Sequence, residues 1–281
     1  MNKKKYGWTG KLLRVDLSKQ KTIEEEISDE ILKKYLGCRG IASKLYYDNV
    51  PTDASAYSPE NCFIISTGPL NGTILGGGRL HMKTRSNRGT FSEGDIGGFF
   101  APMLKYAGYD HILITGKSEK PLYLWVDDDN VELRDASHLW GKNTHDAQKI
   151  IRDEVGDEST PVLTIGQGGE NLVRQSVIIS NFHHSGCRGG GEILGYKKLK
   201  AIAARGTGEI DVADPDKFEE KYYELRNYLD MNESDDHWCN QWGLVGPPVL
   251  TRLFNELGGL QSYNAQELSN QFAEGVGAVE Y

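Results

Sequence analysis

The chain has 281 residues, 38% hydrophobic and 26% charged, enough for a sizeable core in one or two domains. Its formal charge of −8 argues against nucleic acid as the main partner, and no apolar run reaches the length of a membrane span. The basic opening Met1 to Trp8 leads into no apolar h-region, so no secretory signal and a cytoplasmic location are expected. Glycine is over-represented at 33 residues, against a usual share of about 7%, and falls in discrete stretches between apolar segments. Cys38, Cys62, Cys187 and Cys239 are far apart with no C-x-x-C, which excludes a self-contained zinc ribbon or a standard cluster motif.

Lys11 to Leu17 alternates as a strand should, and Thr22 to Glu26 pairs with it as a hairpin. Helices are predicted over 29–36 and 42–47, separated at Gly37 to Gly40. Cys62 to Thr67 reads as a buried strand that delivers the chain to Gly68-Pro-Leu-Asn-Gly-Thr73 and Gly76-Gly-Gly-Arg79. A strand follows over 80–84, then the glycine-rich Glu93 to Phe100 and a helix over 99–107 closed by Gly108. Strands are predicted over 111–115, 122–126 and 131–134, the last two joined by the polar turn 127–130. A helix over 144–155 ends at Gly156, and strands at 162–165 and 176–179 flank Gly166 to Asn171. Beyond Gly206 to Asp214 the composition turns helical, over 216–229 and 248–257, around a Trp-rich connector from Trp238 to Trp242.

The richest segment is Phe182 to Gly195, with five glycines, His183, His184, Ser185, Cys187 and Arg188 ahead of the apolar, basic stretch 196–205. Consecutive N–H groups before a helix make an anion nest, and arginine adds a bidentate fork for phosphate. The competing reading is a glycine-rich turn with a solvated arginine. Standard phosphate loops do not fit. Gly166-Gln-Gly168 lacks the third glycine of a dinucleotide fingerprint, and Gly190 to Lys197 misses the P-loop lysine by one position. Ser185 has histidines nearby but no acid partner for a hydrolase triad. Arg79, after three glycines, is a fixed charge with few structural reasons to be there. Asp95, among glycines, can accept a hydrogen bond from a heterocycle, hold a divalent ion or simply form a turn.

An ordered series of motifs resembles the N-terminal domain of the tungsten-containing aldehyde:ferredoxin oxidoreductase family. It runs through Gly7 to Leu17, Ser58-Pro-Glu-Asn61, Ser66 to Thr73, Gly97-Gly-Phe-Phe100, Leu104 to Asp110, Asp135 to Lys142, Gly169 to Val173 and Leu199 to Ile202. The resemblance covers residues 6–210. It implies an α+β fold: a domain of two mixed β-sheets with flanking helices over 1–210, then over 211–281 the start of an all-α domain.

The same resemblance implies a tungstopterin cofactor, a bis-molybdopterin carrying W or Mo. Carried over by motif, Arg79 resembles a residue contacting pterin phosphate, Asp95 stands where many members have Asn, and Gly97 offers backbone close to the pterin. His184, Ser185, Cys187 and Arg188 fall in the second pterin-binding loop, usually R-A-A-G-R-G-G-x-G-A-V-M-G. In that pattern an arginine is His184 here, a glycine is Cys187, and one residue near Gly191 is absent. No side chain is assigned to catalysis or to metal ligation.

The family's [4Fe-4S] cysteines, its further pterin contacts and its active-site acids lie in helical domains that this sequence does not reach. The cluster is therefore expected only in a missing domain or on a partner chain. Implied partners are a chain supplying those domains and a ferredoxin or iron–sulfur electron-transfer subunit. The implied reaction is the interconversion of aldehydes and carboxylic acids. The alternative, from a different class, is a non-catalytic binding or assembly subunit that keeps the fold without metal.

Overall fold

The structure is a computed structural model describing residues 4–74, 77–181, 184–230 and 266–267. The predictions for His183, for 248–257 and for the Trp238 connector lie outside the described residues. The chain divides into two compact units, Met1–Ala213 and Asp214–Tyr281. In the second, helix α7 (Pro215–Asp230) begins at Asp214, whose carboxylate accepts from Lys217 N at 3.1 Å.

The first unit holds two six-stranded sheets. One is built from β1 (Lys11–Asp16), β2 (Lys21–Glu26), β3 (Phe63–Ser66), β4 (Leu80–Arg85), β5 (Phe91–Ile96) and β6 (His111–Thr115), in the order β2-β1-β6-β3-β4-β5. The other contains β7 (Leu122–Asp127), β8 (Asn130–Asp135), β9 (Val162–Thr164), β10 (Ile178–Ser180), β11 (His184–Gly186) and β12 (Leu199–Arg205), in the order β11-β10-β9-β12-β7-β8. Each has one parallel pair, β1 with β6 and β7 with β12, so both sheets are mixed, as the resemblance implies.

Three cores explain why so many strands read as continuous apolar runs. Between the sheets, Leu13, Val15, Phe63, Ile65 and Ile112 pack with Leu124, Val126, Leu163 and Ile202. Helices α3 (Phe100–Tyr106) and α6 (Gly190–Lys197) add Phe100, Leu104, Ile193 and Leu194 to that layer. On the far face of the first sheet, Leu12, Ile64 and Leu113 meet α1 (Asp29–Tyr35) and α2 (Cys38–Asn49) through Leu32, Ile41 and Leu45. On the far face of the second, Tyr123, Trp125, Ala201 and Ala203 meet Ala147 and Ile151 of α4 (Thr144–Val155).

Two expectations change. The stretch Glu93 to Ile96, read as a glycine loop, is strand β5, paired with β4 along its whole length. The break at Gly37 to Gly40 is shorter than expected, because α2 starts at Cys38 and takes Gly40 inside, where a side chain would strike the Tyr35 carbonyl.

Two fully buried lysines are each paired with a buried carboxylate. Lys105 and Asp110 are both fully buried; Lys105 Nζ donates to Asp110 Oδ1 at 3.0 Å, Gly7 O at 2.6 Å and Gly68 O at 3.1 Å. The Asp110 carboxylate also accepts from Thr9 N and Gly10 N. Lys200 pairs in the same way with Glu170 and donates to Lys142 O. A buried pair costs most when one partner is lost, because the survivor keeps an uncompensated charge. Lys105→Met is therefore expected to lower stability by about 3–5 kcal/mol. The double variant with Asp110→Asn should lose less than the sum of the singles, as read from urea denaturation midpoints.

Candidate functional site

The glycine-rich segments converge where an edge strand of one sheet lies against an edge strand of the other, β5 against β11. Absent side chains make this junction possible. A Cβ at Gly94 would sit 2.7 Å from Cys187 N, and one at Gly186 would sit 2.7 Å from Asp95 O. A Cβ at Gly78 would lie 2.8 Å from Gly98 O, so the loop bearing Arg79 closes on the end of β5.

That loop is fixed by one buried amide. Asn71 Oδ1 accepts from Gly68 N at 2.6 Å, while its Nδ2 donates to Gly77 O at 2.8 Å and Arg79 O at 2.7 Å. The loop's entry and exit are thereby clamped together, which sets where Arg79 leaves the main chain. The exposed guanidinium of Arg79 has no hydrogen-bond or ion-pair partner among the described residues. At the same end of the junction are Asp95, with a side chain 47% exposed, the half-buried Gly97, and, from β11, the exposed Ser185. His184 contributes backbone to β11, opposite Ser180.

Arg188 lies elsewhere. Its carbonyl accepts from Ser92 at the opposite end of β5, about 13 Å from Ile96 at ~3.3 Å per strand residue. Its neighbours there are Ser86, whose Cβ borders Gly189, and Arg174, whose carbonyl receives Arg88 Nη2 at 3.3 Å. Cys187 is buried, its thiol near Ser92, and burial pushes it up to about 12. Its φ of +55° belongs to the left-handed region that favours glycine.

The anion-nest reading of Gly189 to Gly191 is corrected by the hydrogen bonds. Gly189 N and Gly191 N donate to Ser176 O at 2.8 and 3.3 Å, and Gly190 N donates to Cys187 O at 2.7 Å. Two of these glycines open α6 rather than precede it. A side chain at Gly191 would sit 2.8 Å from Ser176 Oγ, and one at Gly195 would strike Gly169 O of α5 (Gln167–Glu170). These glycines let α6 pack closely, against Ser176 at Gly191 and against α5 at Gly195.

Sequence reasoning missed the polar face next to Asp95. His81 is fully buried on β4, directly opposite Asp95, and its Nδ1 lies 2.7 Å from Asp95 Oδ1. One step along the same face, Lys83 donates to Glu93 at 2.7 Å, and Arg39 of α2 reaches Glu93 at 3.5 Å. Lys83, first, and also Arg39 and His81 hold the Glu93 carboxyl below its usual range. The signal was the period of two, His81-x-Lys83 facing Glu93-x-Asp95, which needs the β4–β5 register to become visible. A concavity of about 350 Å³ lies away from these groups, between residues 8–11, 105–108 and 208–211. The junction chemistry identifies the site better than that volume does.

The sequence model described as "Aldehyde ferredoxin oxidoreductase, N-terminal domain" matches residues 12–206. The chain is 42% identical over 229 residues to a tungsten-containing aldehyde ferredoxin oxidoreductase of Pyrococcus furiosus, covering 79% of this chain and 38% of the relative. It is also 42% identical over 268 residues to the Thermococcus kodakarensis protein of the same name, covering 93% and 43%. An aliphatic sulfonate oxidoreductase, WOR-like subunit, of Pyrococcus furiosus is 36% identical over 234 residues, covering 75% and 37%. Among solved structures, the active site complex BamBC of benzoyl coenzyme A reductase matches with a TM-score of 0.79 and 38% identity. That match covers 82% of this chain and 36% of the other. The chain thus spans about two fifths of the length of these relatives.

Two measurements follow from the geometry. Burial raises Cys187 to about 12 and Cys62 to about 11, so both thiols stay protonated near neutrality. Iodoacetamide at pH 8 is expected to leave both unmodified in the native protein and to label them in urea, as read by peptide mass spectrometry. Asn71→Ala should cost about 1–3 kcal/mol and speed amide hydrogen exchange across the loop that Asn71 closes.

Proposed function

Because the chain belongs to the aldehyde ferredoxin oxidoreductase family, whose N-terminal domain it carries, we propose that the β5–β11 junction binds a tungstopterin cofactor, with W or Mo at its centre. The observation carrying this reading is Arg79: an exposed, unpaired guanidinium held at a glycine junction beside an exposed carboxylate and open backbone. Such a guanidinium fits a phosphate by a bidentate fork. The half-exposed backbone of Gly97 admits a flat ring at close range, and Asp95 supplies an acceptor for a ring N–H. No group of three or more His, Cys, Asp or Glu side chains able to hold a metal occurs among the described residues, so the pterin would carry the metal.

The bound metal would supply the two-electron chemistry that interconverts aldehydes and carboxylic acids. This chain's residues bind and orient. Arg79 neutralises phosphate charge, Asn71 fixes the main chain from which Arg79 extends, and Ser185 and the His184 backbone line the facing strand. Arg188, at the far end of β5, would reach a phosphate extending along the junction. Cys187 contributes packing beneath the loop, not a ligand atom. The [4Fe-4S] cluster, the remaining helical domains and a ferredoxin-type electron acceptor belong to the longer assembly, supplied by further sequence or by a partner chain.

Production in a host that makes the pterin cofactor, with tungstate or molybdate supplied, followed by elemental analysis and fluorescence of acid-released oxidised pterin, tests the reading. The expected result is stoichiometric pterin and metal in the wild type, reduced about tenfold or more in Arg79→Ala, consistent with losing a charge-assisted hydrogen bond. A wild type that carries neither would leave the non-catalytic reading in its place.

A further inference from the structure

His81 has no reason to be polar unless Asp95 matters. It is fully buried in β4, and an imidazole taken out of water needs hydrogen-bond partners. Nδ1 meets Asp95 Oδ1 at 2.7 Å, and an ionised carboxylate only accepts, so Nδ1 carries the proton. Nε2 has no hydrogen-bond partner among the described residues; Glu93 Oε2, a carboxylate oxygen 3.7 Å away, already receives Lys83 Nζ at 2.7 Å.

The second buried histidine of this sheet behaves differently. His111 turns Nδ1 inward to Ser66 Oγ at 2.8 Å, and burial lowers it to about 4, leaving a neutral ring within the core. The single described hydrogen bond of His81 instead goes outward, to a carboxylate 47% exposed at the junction. With Oδ1 engaged, Asp95 Oδ2 is left without a partner among the described residues.

We propose that His81 is a positioning residue of the site. Its imidazole fixes the Asp95 carboxylate by Oδ1, so that Oδ2 is left as an oriented acceptor at the junction. The arrangement parallels the outer-shell partners that orient ligating side chains, whose loss weakens binding about 10–100-fold. The inference rests on the pterin reading of the junction.

Two arms test it on the full chain. In cofactor-free protein, nitrogen NMR of labelled histidine is expected to show His81 protonated at Nδ1 in the wild type, with a perturbed Nδ1 signal in Asp95→Ala. An Nε2–H tautomer in the wild type overturns the proposal. In loaded protein, pterin retention should fall about tenfold in His81→Leu and recover to within about threefold of wild type in His81→Asn, which keeps a donor near Nδ1. If the leucine variant does not fold, as judged by circular dichroism, Asp95→Ala replaces it. Full retention in the substituted protein, or a loss that His81→Asn fails to restore, overturns the proposal. A wild type without pterin overturns this inference together with the proposed function. Pterin lost in Arg79→Ala but kept in His81→Leu overturns this inference alone.

Discussion

The ion pair between Lys105 and Asp110 is the constraint on which the site's geometry depends. A lysine with three oxygen acceptors in a fully buried position fixes three separate pieces of chain at once: the segment before β1, the end of β3 and α3. Asp110 extends the same hold, because its carbonyl accepts from both Thr67 N and Thr67 Oγ1. Gly68, the first residue of the Arg79 loop, is thereby held on its carbonyl by Lys105 and on its N–H by Asn71. The starting point of the loop is thereby tied directly into the buried polar core.

The family motifs acquire a physical meaning in this light. Leu104 to Asp110 contains both members of that pair, and Gly169 to Val173 with Leu199 to Ile202 supply Glu170 and Lys200 of the other. Asn61, closing Ser58-Pro-Glu-Asn61, is fully buried and donates to Ala56 O and Arg85 O. Buried ion pairs are weak evidence for stability, yet breaking one is expensive, which fixes the identity of both members. Much of what makes the chain recognisable is its polar core, and only the glycine loops speak of a ligand.

This explains what could be read from sequence. Strands such as Phe63 to Ser66 and Leu122 to Asp127 are apolar on both faces and announced themselves, as did the capped helix from Thr144 to Gly156. Strand β5 did not, because its Gly94, demanded by the close approach of Cys187 N, imitates a turn. The glycines at 190, 191 and 195 gave the opposite error, imitating an anion nest while letting α6 pack closely on Cys187, Ser176 and Gly169. Arg79, Asp95, Gly97 and Ser185 could be named from motifs, and they do share one end of the junction. That His81 backs Asp95, or that Arg188 sits at the other end of β5, depends on register and strand order, which no local pattern encodes.

The strand order has one more effect, on how the protein keeps out of aggregates. The outer edges, β2 and β8, carry Lys21, Glu24, Glu25 and Glu26 on one side and Glu132, Arg134 and Asp135 on the other, charges that discourage a foreign strand from adding. The inner edges, β5 and β11, are shielded by lying against each other. A ligand bridging that seam would act as its clasp, and its loss would loosen the place where two unpaired strand edges are hidden. Emptying the site would then shorten the working life of the protein in solution before the fold itself gave way.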